Sequence, residues 1–295
     1  MTFRGMAHHS DSSGRTVWLV CNEASGSNDE AAVDAVIAAL GDAGLHVDRV
    51  LRFPDEPAPA AAELDAAEVD ILCVFGGDGT THSVVATAYG WCGKVLVLPG
   101  GTMNLLAKRM HGDRPAPEII ADLAGGAIRT ARPKVIKSRH GIGLTGSLAG
   151  PGTVWNEVRE AMRKANILEF VATAREAISQ SANGPKVVCA EVDCGREEGY
   201  AAITVVPHDD GLEANGYYAE SLGDFAGQGI ALINRNFRDG PHDELGRHAQ
   251  LRLVCPTGEP MGLLIDGEPF DGGAEEIFEL APCEVDLVTT MEFDG

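Results

Sequence analysis

No uninterrupted apolar run in this 295-residue chain approaches the roughly 20 residues that a membrane-spanning helix needs, so a helical membrane protein is not expected. The opening stretch, Met1 to Arg15, is polar and has no apolar stretch of the kind a secretory signal carries; residues 1–15 read as a disordered lead-in. Basic residues are scarce: 23 Lys and Arg stand against 44 Asp and Glu. The resulting net charge of −21 argues against nucleic acid as a partner and against uniform attraction to an anionic membrane. None of the seven cysteines falls in a CxxC pair, and Cys189 with Cys194 has no second pair to complete a zinc site. An odd, unpatterned set of this kind suits free thiols serving as small core residues in a reducing compartment. Internal repeats and low-complexity tracts are also missing. The expectation is a cytoplasmic protein whose membrane contact is peripheral, at the inner membrane.

Against these absences stand two glycine-rich turns, each at the end of an apolar strand. Ile71-Leu72-Cys73-Val74-Phe75 runs into Gly76-Gly77-Asp78-Gly79-Thr80, and Val95-Leu96-Val97-Leu98 runs into Pro99-Gly100-Gly101-Thr102-Met103-Asn104. Several glycines after a buried strand let backbone N–H groups approach a polyanion, because no Cβ stands in the way. A helix start beyond the turn adds its positive end. Asp78 is placed to partner a metal or a polarised hydroxyl. The pair reads as a nucleotide-phosphate cradle serving phosphoryl transfer.

The surrounding pattern alternates strand and helix. Thr16–Val20 reads as a buried strand, followed by a helix with Ala32, Val33, Val36, Ile37 and Leu40 on one face. Strands follow at Val47–Phe53, Ile71–Phe75 and Val95–Leu98, with helices at Ala60–Ala67 and Ser83–Tyr89 between them. Such alternation implies a parallel sheet with right-handed crossovers, and ligands at the carboxyl ends of its strands, where Asn22, Asp78 and Thr102 fall. Met162–Ala182 reads as a helix. From Pro185 onward short β-like runs, among them Gly229–Ile233, Met261–Ile265 and Val285–Val288, suggest an antiparallel second domain. The division expected is an α/β nucleotide-binding domain over 16–130 and a mainly β, sandwich-like acceptor domain over 131–295.

Several features have ordinary readings. Asp-Gly is a favoured hairpin pair, so Asp78-Gly79 and Asp266-Gly267 could each be a tight turn. His82 reads as a polar residue at a helix start, and Asp209-Asp210 as a solvated turn. Between Asn104 and His140, eight basic residues face three acidic ones; this stretch could hold phosphates, meet lipid headgroups or form a solvated face.

Taken together, the motifs resemble the diacylglycerol kinase catalytic family, which includes bacterial lipid kinases and sphingosine- and ceramide-type kinases. Asn22 to Gly26 matches its first nucleotide motif, Gly76 to Thr80 the second, Pro99 to Asn104 the third, and Asp266-Gly267-Glu268 the late acidic motif. The resemblance implies an α/β domain and a β-sandwich enclosing a cleft, where ATP with Mg²⁺ phosphorylates a lipid hydroxyl at a membrane surface. It implies that Asn22, Ser25, Gly26, Gly76, Gly77, Gly79, Thr80, Gly100, Gly101, Thr102 and Asn104 hold the nucleotide. Asp78 would stand beside the phosphates and metal, and Glu268, or in second place Asp266, would take the acceptor's proton. A homodimer is compatible with this reading. The chain departs from the pattern at Glu23, where the family has Pro, and at His82-Ser83, where it has Asn-Glu. The missing Glu removes a carboxylate near the cradle. Three competing readings are an NAD kinase, which shares the GGDGT turn, a kinase for a soluble alcohol, and a nucleotide sensor without turnover.

Overall fold

The computed structural model describes residues 15–22, 29–124, 128–151, 186–191, 194–218 and 242–292. The lead-in up to residue 14, Ser25 and Gly26 of the first motif, the helix expected at Met162–Ala182 and the strand expected at Gly229–Ile233 lie outside the described residues.

The first part alternates as expected: β1 (Arg15–Cys21), α1 (Glu30–Asp42), β2 (Leu45–Arg52), α2 (Ala61–Ala66), β3 (Ile71–Gly76), α3 (Asp78–Thr87), β4 (Lys94–Pro99), α4 (Leu105–His111), α5 (Ala116–Asp122) and β5 (Thr130–Ala131). Asp29 caps α1 by accepting from Ala32 N at 2.9 Å, supplying a partner to a first-turn N–H that the helix itself leaves open. The central strands are apolar without alternation because both faces of the sheet are covered. Trp18, Val20, Leu72, Val74, Val95 and Val97 pack on one side with α3 and α4 residues such as Val84 and Leu106. Val17, Leu19, Ile71, Cys73, Leu96 and Leu98 pack on the other with α1 and α5 residues such as Val36 and Ile119.

The remaining strands are β6 (Lys134–Ser138), β7 (Gly141–Gly143), β8 (Ser147–Pro151), β9 (Val188–Cys189), β10 (Ala202–His208), β11 (Gly211–Tyr217), β12 (His242–His248), β13 (Gln250–Val254), β14 (Met261–Ile265), β15 (Glu268–Asp271), β16 (Glu275–Pro282) and β17 (Asp286–Val288). Two antiparallel sheets, β12-β11-β10-β8-β14-β15 and β7-β6-β16-β13-β9, share a core that includes Ile203, Val205, Leu212, Met261 and Leu263 from the first and Ile136, Leu251, Leu253 and Phe278 from the second. This is the β-sandwich expected beside the α/β layer.

Three local expectations change. The strand at 285–288 forms, but as β17 it joins the first sheet, whose order is β2-β1-β3-β4-β17-β5; it runs parallel to β4 and antiparallel to β5. The helix expected at Ser83–Tyr89 starts earlier, at Asp78, with Gly77 as its N-cap, so the glycine motif is itself the first turn of α3. Finally, Cys189 and Cys194 form a disulfide, whereas Cys21, Cys73, Cys92, Cys255 and Cys283 are free. Among the described residues no helix is long and apolar enough to cross a membrane.

Candidate active site

In the first sheet β1 lies between β2 and β3, so the strand order reverses beside β1. Open α/β sheets bind ligands at this reversal, outside the carboxyl ends of the strands. Asn22, just past β1, bridges the point: its backbone N donates to Phe75 O at 3.3 Å and its Nδ2 to Thr80 Oγ1 at 2.9 Å. Asn22 thereby ties the end of β1 to the GGDGT turn.

The two glycine turns also touch. Gly100 N donates to Gly76 O at 3.2 Å, and a Cβ on Gly101 would stand 2.5 Å from the Gly77 Cα, so position 101 cannot carry a side chain there. Asn104 braces the second turn in a left-handed conformation, φ 54°, accepting from Gly101 N at 2.7 Å and donating to Gly101 O at 2.8 Å. Asn tolerates that conformation better than most residues. Asp78 ties the turns from below: its carboxylate accepts from Asn104 N at 3.0 Å and Leu105 N at 2.7 Å, capping α4 from another element. Burial pushes the Asp78 carboxyl above its ordinary value, against the opposing pull of the Leu105 and Asn104 N–H groups. Thr102 is exposed at the rim of the same turn.

The late acidic motif arrives from the sandwich. Ile265 pairs with Glu268, leaving Asp266-Gly267 as a two-residue hairpin loop with φ of 50° and 86°, the primed turn that Asp-Gly favours. The ordinary reading of this motif, a tight turn, is what forms, and the hairpin sets where the two carboxylates lie. The pair divides sharply. Asp266 is enclosed, its side chain 3% exposed, and accepts from Leu144 N at 2.7 Å, Thr145 N and Oγ1 at 2.8 Å each, and Gly146 N at 3.2 Å. His82 Nδ1 of α3 lies 2.8 Å from its Oδ2. Burial alone would raise the Asp266 carboxyl, yet His82 and the N–H groups of Leu144 and Thr145 hold it below the usual carboxylate range. Glu268, by contrast, is exposed, and its Oε1 lies 2.5 Å from where a Cβ on Gly79 would stand. The late motif and the first glycine turn face each other across this gap.

Half of the eight basic residues in the 104–140 stretch pair with acidic side chains. Arg114 pairs with Asp122, Arg132 with Asp286, Arg139 with Glu276 and Lys108 with Asp113. Arg109 turns inward, donating to Lys134 O at 3.0 Å and Leu144 O at 2.9 Å, beneath the loop that holds Asp266. Burial lowers its guanidinium, and the charges of Asp209 and Asp266 pull the other way. Sequence reasoning read His82 as a polar residue at a helix start, took Arg109 only as part of the basic stretch and gave no role to the Leu144–Gly146 loop; the departure from the family pattern at His82 was the one signal that singled out that residue.

Residues 16–135 match the family model of the diacylglycerol kinase catalytic domain. The fold agrees over a longer span. Two crystal structures from Bacillus anthracis str. Sterne that carry the name diacylglycerol kinase superpose with TM-scores of 0.64 and 0.61 at 18% identity, covering 94% of this chain and 98% of theirs. No curated protein matches.

Proposed function

We propose that this chain is an ATP-dependent kinase that phosphorylates the hydroxyl of a lipid such as diacylglycerol, working in the cytoplasm and peripherally at the inner membrane. The observation that carries the reading is the approach of Glu268 to Gly79, which sets an exposed carboxylate over the first turn of α3.

The residues divide the work. The N–H groups at the start of α3 and the glycine turns seat phosphate oxygens, because at Gly101 the turns are too close for a Cβ and the helix end is positive. Glu268 orients the acceptor hydroxyl and takes its proton, a contribution of about a hundred- to ten-thousandfold. Asp266 positions Glu268 by fixing the hairpin, and His82 and the 144–146 loop fix Asp266. The Asp78 carboxylate is the oxygen donor that would hold Mg²⁺ here, and the ion would supply charge to neutralise the transferring phosphoryl group and oppose the upward pull on the Asp78 carboxyl. Among the described residues Asp78 belongs to no group of three close ligand atoms, so phosphate oxygens and water would complete the metal's shell.

The test is transfer of labelled γ-phosphate from Mg²⁺-ATP into a total lipid extract, beside Glu268→Ala. Label in a lipid spot, lost in the variant, supports the reading. Label only in a small polyol would reassign the acceptor, label in NAD would make it an NAD kinase, and ATP binding without transfer would make it a sensor.

A further inference from the structure

Away from the cleft, at the edge of the sandwich opposite β15, the fold assembles three ligand atoms that sequence spacing does not join. Cys189 ends β9, and Cys194 is its disulfide partner. His248, the last residue of β12, brings Nε2 to 3.8 Å from Cys194 Sγ. The two sulfurs and the imidazole nitrogen lie within 4.8 Å of one another, and this is the one such group of three among the described residues.

A β-bulge puts the histidine there. Ala214 pairs with Gly246 while Asn215 pairs with Glu244, so Leu245 is an extra residue on β12, followed by Gly246 at φ 90°. The insertion changes the phase of the strand. Leu245 is buried, and Arg247 turns outward to Asp210 and Glu213. His248 Nε2 thereby comes to lie 2.8 Å from the Leu245 carbonyl and beside the cysteines. Both cysteines are buried, at 8% and 6% exposure.

We propose that the reduced form of this pair, with His248, holds a thiophilic divalent cation of the zinc class, and that the disulfide is the metal-free oxidised form of the same site. Two thiolates and an imidazole are the donors such an ion selects. Zinc bonds of about 2.3 Å to sulfur and about 2.0–2.1 Å to nitrogen set neighbouring tetrahedral ligands roughly 3.5–3.8 Å apart. The Cys194–His248 distance of 3.8 Å is close to that spacing, the two sulfurs have to separate, and Cys189 Sγ stands within 4.8 Å of the imidazole nitrogen. The balance is simple. A dithiol reductant delivers two electrons and two protons to the S–S bond and leaves as its own disulfide. The cation then displaces one proton from each thiol, and the imidazole proton moves from Nε2 to Nδ1, freeing the Nε2 lone pair. The bound ion would pin the segment carrying both cysteines to the end of β12. The inference is independent of the kinase reading.

The experiment uses the full chain, reduced with a dithiol, desalted under nitrogen and titrated with Co²⁺. One equivalent per chain is expected, with thiolate-to-cobalt charge-transfer absorption that Zn²⁺ abolishes. Cys189→Ser and Cys194→Ser should lose the charge-transfer signal, and His248→Gln, which keeps a polar group near the Leu245 carbonyl, should bind more than about a hundredfold more weakly. Cys92→Ser should behave as the parent, since Cys92 is an exposed free thiol elsewhere. The proposal is overturned if the reduced parent shows no stoichiometric charge-transfer band, or if the band survives in Cys194→Ser or is unchanged in folded His248→Gln.

Discussion

His82 Nδ1 lies 2.8 Å from Asp266 Oδ2, joining the helix that begins in the first glycine turn to the hairpin that presents Glu268. The two residues stand 184 positions apart in sequence. In a chain where a family Asn is replaced by His, this contact gives the replacement a structural role. It closes the hydrogen-bonding shell of a carboxylate that is otherwise held wholly by the sandwich.

His82→Ala should therefore affect both stability and turnover. Removing a partner from a buried, hydrogen-bonded carboxylate costs about 1–3 kcal/mol. Thermal unfolding should report that loss, and kcat should fall more than the KM for ATP changes, because the glycine turns are untouched. A parent-like Tm together with parent-like kcat would show that the contact has no role.

Two glycine substitutions separate seating from chemistry. In Gly101→Ala the new methyl meets the Gly77 backbone, which cannot swing away, so overpacking should cost about 1–3 kcal/mol and weaken nucleotide binding. In Gly79→Ala it meets the end of the Glu268 side chain, which can move; folding should be nearly unchanged while transfer falls. Differential scanning calorimetry with ATP titration distinguishes the two patterns, and equal loss of stability in both would refute the geometry.

Asp78→Asn sets two effects against each other. The neutral side chain escapes the burial that raises the Asp78 carboxyl, but its single oxygen can no longer serve both Asn104 N and Leu105 N. The expected result is a folded protein with a small Tm change and no phosphoryl transfer. Near-normal activity in that protein would remove Asp78 from the site.

Acid should weaken the fold in two windows. His111 is fully buried, with Nδ1 3.3 Å from Thr290 Oγ1, and burial pushes its imidazole down to about 4. The unfolded chain, titrating near 6.5, then binds the proton first, so stability declines as pH falls from about 6.5 toward 4, by up to about 3 kcal/mol. Asp266 acts lower. Its folded value lies below that of an ordinary Asp, so its stabilising contribution holds above about 3.9 and is lost as pH falls through the folded value. Tm measured against pH should flatten in the upper window for His111→Leu, and an unaltered slope there would point to other groups.

What the sequence made legible follows from the range of each interaction. The parallel strands and glycine turns are local patterns, and the hairpin at Asp266-Gly267 is written in two residues. The lock on Asp266 is not local: its donors at Leu144 and Thr145 lie more than a hundred positions away, on a loop with no motif of its own. Cys189, Cys194 and His248 are likewise joined by a bulge whose register depends on the neighbouring strand. The partners of the basic stretch were out of view for the same reason, since the acids that pair with Arg132 and Arg139 come from Asp286 and Glu276. The strand at 286–288 was recognisable, but three residues carry no mark of which sheet will accept them.

That last strand has a consequence for biosynthesis. β17 sits between β4 and β5, yet more than half the chain is made after β5 before it exists. Until then a nascent nucleotide layer carries a bare edge along β4, the kind of template that recruits strands from other chains. The two halves of the molecule cannot mature in succession: the strand that seals the first sheet is delivered only after the second part has been translated, so completion of the first sheet is a late event.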